Sequence, residues 1–145
     1  MSLSEADRKS VVAYRLERAE ATFAEALGVA ERGWYNLSAN RLYYAVYYAA
    51  SALPVSKGLP TRSHAGVRSL LQLHFVKTGV LTLEEGALVG MLFNLRQSGD
   101  YEDFKQVTKE QIDELAPMTA LLVDNSRPSY KTGKRTFREI NNNKV

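Results

Sequence analysis

The chain has 145 residues, 45% hydrophobic and 24% charged, which suits one domain with a real buried core and is ordinary for a globular protein. It has no cysteine, so disulfides and thiolate metal sites are excluded, and its two histidines make the usual zinc ligand sets hard to assemble. The net charge of +3 is uneven: from Ser126 to Val145 six basic residues stand against one acid, leaving +5 in the tail and −2 in the body, so attraction to phosphate is concentrated at the C-terminal end.

Five helical stretches follow in chain order, with no convincing strand and no internal repeat. Between about Ser4 and Glu31, Val12, Leu16, Ala19, Phe23, Ala26 and Ala30 recur at three- and four-residue steps and make one apolar stripe, which Gly33 ends. From about Tyr35 to Leu53 the run Leu42 to Ala50 leaves no polar face, as expected of a central helix buried on several sides. Pro54, Gly58 and Pro60 then read as a loop. Ser63 caps a third helix, whose stripe is Val67, Leu70, Leu71, His74 and Phe75, closed by Gly79. This stripe makes His74 a core or interface residue.

Thr82 caps a fourth helix from Leu83 to Leu95, with Glu84 and Glu85 in the dipole-favoured first turn and Leu88, Met91, Leu92 and Leu95 as its stripe. The fifth runs from about Thr108 to Val123, with a kink or break expected at Pro117. The expected fold is therefore an all-α, up-and-down bundle of four to five helices over residues 1–125, followed by a basic, irregular tail over 126–145. The N-terminal residues are polar, so no signal peptide is expected, and the most apolar stretch, Leu42 to Val55, falls short of the roughly 20 residues of a membrane span. A cytoplasmic protein is expected.

Four segments could carry chemistry. Arg96-Gln-Ser-Gly-Asp-Tyr-Glu-Asp gathers an arginine fork suited to phosphate, acids that could take a proton or orient the arginine, and a tyrosine. Pairing of Arg96 with Asp100 at a helix end is the plainer reading of the same residues. Asn40-Arg41-Leu-Tyr-Tyr-Ala-Val-Tyr-Tyr holds four tyrosines in six residues, most of them expected to pack, with Arg41 able to face the Arg96 segment. Thr61-Arg62-Ser63-His64 sets a histidine in a helix's first turn, beside backbone donors that favour anions, though a simple capping turn looks the same. The fourth is the tail, where Lys131, Lys134 and Arg135 join Arg41 and Arg62 as candidate nucleic-acid contacts, or merely keep the protein soluble. There is no Gly-rich phosphate loop and no Gly-x-Ser-x-Gly elbow, and neither metal nor cofactor is expected.

Taken together, Leu42-Tyr43-Tyr44-Ala45-Val46-Tyr47-Tyr48-Ala49-Ala50-Ser51-Ala52-Leu53, then Ser63-His64-Ala65-Gly66-Val67, then Arg96-x-x-Gly99-Asp100-Tyr101, resemble the HEPN family over roughly Ala6 to Val123. More closely, the chain resembles the prokaryotic subgroup of short HEPN proteins often encoded beside a minimal nucleotidyltransferase. The resemblance implies a helical bundle that dimerises. Many members are metal-independent ribonucleases in which an arginine is followed, four to six residues on, by a histidine, and the two copies build one site. Arg96 matches the arginine, but Tyr101 stands five residues on, and a phenol with a pKa of about 10 is a poor base at neutral pH.

Arg68 and His74 satisfy the spacing literally, but side chains six residues apart point some 120° apart on a helix, so the match reads as accidental. His64 could take the missing role if the fold sets it beside Arg96. Family likeness also makes Tyr101 a candidate acceptor of a transferred nucleotide.

Three readings follow in order of preference. One is a regulatory homodimer acting with a minimal nucleotidyltransferase in a toxin–antitoxin-like system, through Arg96, Asp100 and Tyr101. Another is a divergent ribonuclease using Arg96 with His64 or Tyr101. The last is a structural dimer without ligand.

Overall fold

Hydroxyl side chains start four of the five helices. In a computed structural model that describes residues 3–59, 63–101 and 106–127, α1 (Glu5–Glu31) begins on Ser4, whose Oγ accepts from the Asp7 amide at 3.1 Å. In the same way α3 (His64–Leu71) begins on Ser63, α4 (Leu83–Tyr101) on Thr82 and α5 (Lys109–Asn125) on Thr108. Each hydroxyl meets one of the amides that a helix start leaves without an internal partner, which is worth about 1 kcal/mol per cap. No strand occurs among the described residues.

α2 (Tyr35–Ser56) has no side-chain cap and starts instead from a tight turn. Gly33 takes φ +78°, a left-handed conformation that suits glycine, and the Gly33 and Trp34 amides close on the Ala30 and Val29 carbonyls. The turn lays α2 back along α1. Alanines 19, 26 and 39 are fully buried between them, and Ser38 Oγ donates to the Ala26 carbonyl at 2.9 Å. Small residues at the crossing let the two axes approach closely.

α2 then packs on every other helix, as its all-apolar sequence implied. Buried Leu42, Tyr43, Val46, Leu71, Phe75, Leu88, Leu92 and Leu122 form the core around it. The ends are tied by polar contacts. Asn125 Nδ2 donates to the buried Glu85 carboxylate at 2.5 Å, joining the end of α5 to the start of α4, and Arg127 pairs with Glu20 of α1.

The helices depart from the sequence expectations in five places. α2 continues through Pro54 to Ser56 instead of ending at Leu53. Proline removes one donor, and here the turn closes by Lys57 and Leu59 amides bonding back to the Pro54 carbonyl. α4 runs on from Leu95 to Tyr101, so Arg96 sits within a helix and not after one, and Gly99 is tolerated inside it at a cost of roughly 1 kcal/mol. Met91, expected in the stripe of α4, is 42% exposed.

α5 is unbroken across Pro117, which faces solvent, where water can satisfy the carbonyl that proline leaves without a donor. α3 passes directly into a π turn (Gln72–Val76), and His74 is exposed, not in the core. The wider turn rotates each residue by less than the α-helical 100°; Phe75 is buried with Val67 and Leu71, while His74 lies in water. No helix among the described residues is long and apolar enough to cross a membrane. The tail from residue 128 onward, with Lys131, Lys134 and Arg135, lies outside the described residues, as does Arg62.

Candidate functional site

Tyr43 and Tyr47 lie one turn apart on α2, so their rings share a face and stack at 6.3 Å and 27°. The Ser63 cap fixes the first turn of α3 against that face. There the His64 imidazole lies flat on the Tyr47 ring, with centroids 4.1 Å apart and planes 17° apart, and its Nδ1 is hydrogen-bonded to the hydroxyl of Tyr43. Tyr44 meets the imidazole edge-on at 6.3 Å.

Arg96 arrives from α4. Its guanidinium stands 5.5 Å from the centre of the Tyr43 ring and 5.2 Å from that of Tyr44, within the range of a cation–π contact. Arg41 lies 5.4 Å from the same Tyr44 ring and is held by the Asn40 Oδ1 at 2.7 and 3.1 Å and by Glu25 at 3.5 Å. Arg68, one turn beyond His64, covers Phe93 at 5.2 Å, and Phe93 itself touches Tyr43. Three helices thus bring one imidazole, three guanidiniums and three phenol rings to one place.

Tyr43 is 1% exposed, and burial, with the neighbouring Tyr44 next, pushes its hydroxyl up to about 12 against a smaller pull from Arg96. The phenol therefore keeps its proton at any working pH. Burial, then the charge of Arg96, pulls His64 below its ordinary 6.5. Near neutrality the imidazole is thus uncharged and able to take a proton, while the guanidiniums beside it supply fixed positive charge.

Of the residues singled out in the sequence, Arg96, His64 and Arg41 come together around Tyr43 and Tyr44. Asp100 and Tyr101 occupy the last turn of α4, where the backbone alone is described. Position 100 falls about 40° around the helix axis from position 96, whereas position 101 falls about 140° from it. Sequence alone does not pick out Tyr43 as the partner of His64, and it weighs Arg68 only with His74, as an accidental match. The signal was present in the four-residue spacings Tyr43–Tyr47 and His64–Arg68, each of which shares a helix face.

The HEPN family model matches residues 12–124, nearly the whole of this five-helix bundle. The chain belongs to the HEPN domain family. It is 30% identical over 106 residues to a UPF0332 protein of Thermotoga maritima, covering 73% of this chain and 80% of that one. Two proteins of Methanocaldococcus jannaschii, each named a putative toxin, are similarly related. One is 24% identical, covering 88% of this chain and 86% of its own length; the other is 30% identical, covering 80% and 86%.

Proposed function

We propose that the protein is the toxin-type member of a toxin–antitoxin pair and that it binds and cuts RNA at the Arg96–His64 site. The observation that carries this reading is the meeting of Arg96 and His64 over one pair of tyrosine rings. It supplies the arginine–histidine pair that the Arg96 segment lacks within itself, and the toxin names of two relatives point the same way.

In this reading Arg96 holds the phosphodiester and neutralises the charge that develops on it. The Tyr43 hydroxyl and His64 Nδ1 share a proton-bearing contact that fixes the ring. In the tautomer where Nδ1–H donates to the phenol oxygen, Nε2 is open to take the proton of the ribose 2′-hydroxyl. The 2′-oxygen then bonds to phosphorus as the bond from phosphorus to the 5′-oxygen breaks. The leaving oxygen takes a proton from water, His64 returns its own to solvent, and the products are a 2′,3′-cyclic phosphate and a 5′-hydroxyl. The rate is expected to rise with pH through a midpoint below the ordinary histidine value of 6.5 and then to level off, because the base acts only when deprotonated. A pH profile of RNA cleavage by purified protein checks this. A midpoint above 6.5, or a flat profile, contradicts the role of His64.

A second reading concerns control of the same site, and Tyr101 favours it by standing at the end of the helix that bears Arg96. Here the protein is a homodimer, and a minimal nucleotidyltransferase partner silences it by transferring a nucleotide to the Tyr101 hydroxyl. Leu83, 79% exposed, and Met91, 42% exposed, leave apolar surface of α4 in water that suits a dimer contact. Light scattering is expected to give twice the chain mass. Incubation with that partner and a nucleoside triphosphate should add one nucleotide mass or more to wild type and none to Tyr101→Phe. A monomer, or modification of Tyr101→Phe, rules this reading out.

A further inference from the structure

We infer that the groove between the end of α1 and the start of α2 is a nucleobase subsite, occupied by the nucleotide next to the phosphodiester at Arg96; this rests on the RNA reading above. The groove, about 500 Å³, is lined by Glu25, Gly28, Val29, Arg32, Leu37 and Arg41. Arg41 belongs both to it and to the site, since its guanidinium also covers Tyr44, which Arg96 shares. A strand bound at Arg96 therefore reaches the groove by way of Arg41.

The floor of the groove is unusual for a helix. Gly28 is exposed within α1, and a Cβ built there meets nothing within 4 Å. The fold itself gives no reason for glycine, the poorest helix former after proline, at this position. A flat ligand approaching the backbone does give one.

Around this floor the protein leaves large apolar side chains in water. Leu37 is 45% exposed and Trp34 is 52% exposed, with the Arg32 guanidinium 5.3 Å from the tryptophan ring. Guanidinium planes and apolar surface are what a stacked base uses. Glu25, paired with Arg41 at 3.5 Å, keeps acceptor capacity for base N–H groups, and Arg41, shared with the Arg96 site through Tyr44, is placed to meet the phosphate.

Trp34 is the sole tryptophan, and its ring lies 5.3 Å from the guanidinium of Arg32, which lines the groove, so a change in its fluorescence is the readout used. The test titrates the full chain with a 2′-O-methyl RNA hexanucleotide, which cannot be cut, and with inorganic phosphate. Cleavage of the matching natural hexanucleotide is followed in parallel.

Quenching by the RNA and not by phosphate is expected. Binding should weaken about ten-fold or more in Gly28→Leu, which fills the floor, and fall in the same direction in Leu37→Ala, both with unchanged helical circular dichroism. RNA binding by Gly28→Leu within two-fold of wild type, or equal quenching by phosphate, overturns the subsite. So does an emission change on dilution without RNA, which would assign the groove to a second copy of the chain. If the groove binds RNA but nothing is cut, the ribonuclease reading falls and the subsite stands. If RNA is cut equally well by Gly28→Leu, the subsite alone falls, and if RNA is neither bound nor cut, both fall.

Discussion

His64→Ala is expected to slow RNA cleavage by about 10²–10⁴-fold, the usual contribution of a positioned general base, and Arg96→Ala by about 10²–10³-fold, the loss seen when one donor to a developing oxyanion is removed. The two losses have different physical origins. In the proposed mechanism, loss of the imidazole removes Nε2 and leaves the 2′-hydroxyl proton without an acceptor. Loss of the guanidinium would take away the cation proposed to hold the phosphate, and it also removes a charge that helps hold the His64 pKa down. The pH midpoint of whatever activity remains in Arg96→Ala should therefore move up toward the ordinary histidine value. Initial rates on a labelled RNA, with melting temperatures recorded alongside, measure both effects. Wild-type rates in either variant would remove the site.

Tyr43 joins the site to the fold, and its two substitutions separate those roles. Tyr43→Phe keeps a ring that is 1% exposed and removes only the hydroxyl bonded to His64. The stability loss should be about 1 kcal/mol, the net worth of one hydrogen bond, yet cleavage should fall at least ten-fold because the imidazole is no longer fixed. Tyr43→Ala removes the ring on which Tyr44, Tyr47, Phe93, His64 and Arg96 all rest, so it should cost about 3–5 kcal/mol, as large-to-small core changes do. Urea unfolding of the three proteins gives the energies, and cleavage assays under native conditions give the rates. A Phe variant as active as wild type would show that His64 needs no anchor at Nδ1.

Much of the architecture could be read from the residues. Apolar spacing located all five helices, and the side-chain caps Ser63 and Thr82 were visible from their place before an apolar run. The errors cluster where a local rule depends on surroundings that spacing does not encode. Pro54 and Pro117 carry the same breaking signal, but its outcome depends on where the freed carbonyl lies. His74 fitted an α-helical stripe, and only the π turn displaces it.

The site divides in the same way. Arg96 stood out through its own neighbours in sequence. The meeting of Arg96 with His64, 32 positions earlier in the chain, depends on how α3 and α4 settle against α2. That is a tertiary fact, which the sequence could pose only as a condition: His64 could take the missing role if the fold set it beside Arg96.

The most direct test of the Arg96–His64 pairing is a double-mutant cycle on RNA cleavage: wild type, Arg96→Ala, His64→Ala and the double variant, assayed on one substrate. Residues that act as one unit are strongly non-additive, so the double variant should be about as slow as the worse single variant. Losses that multiply would mean that the two residues act apart, and equal rates in all four proteins would mean that neither acts on RNA at all.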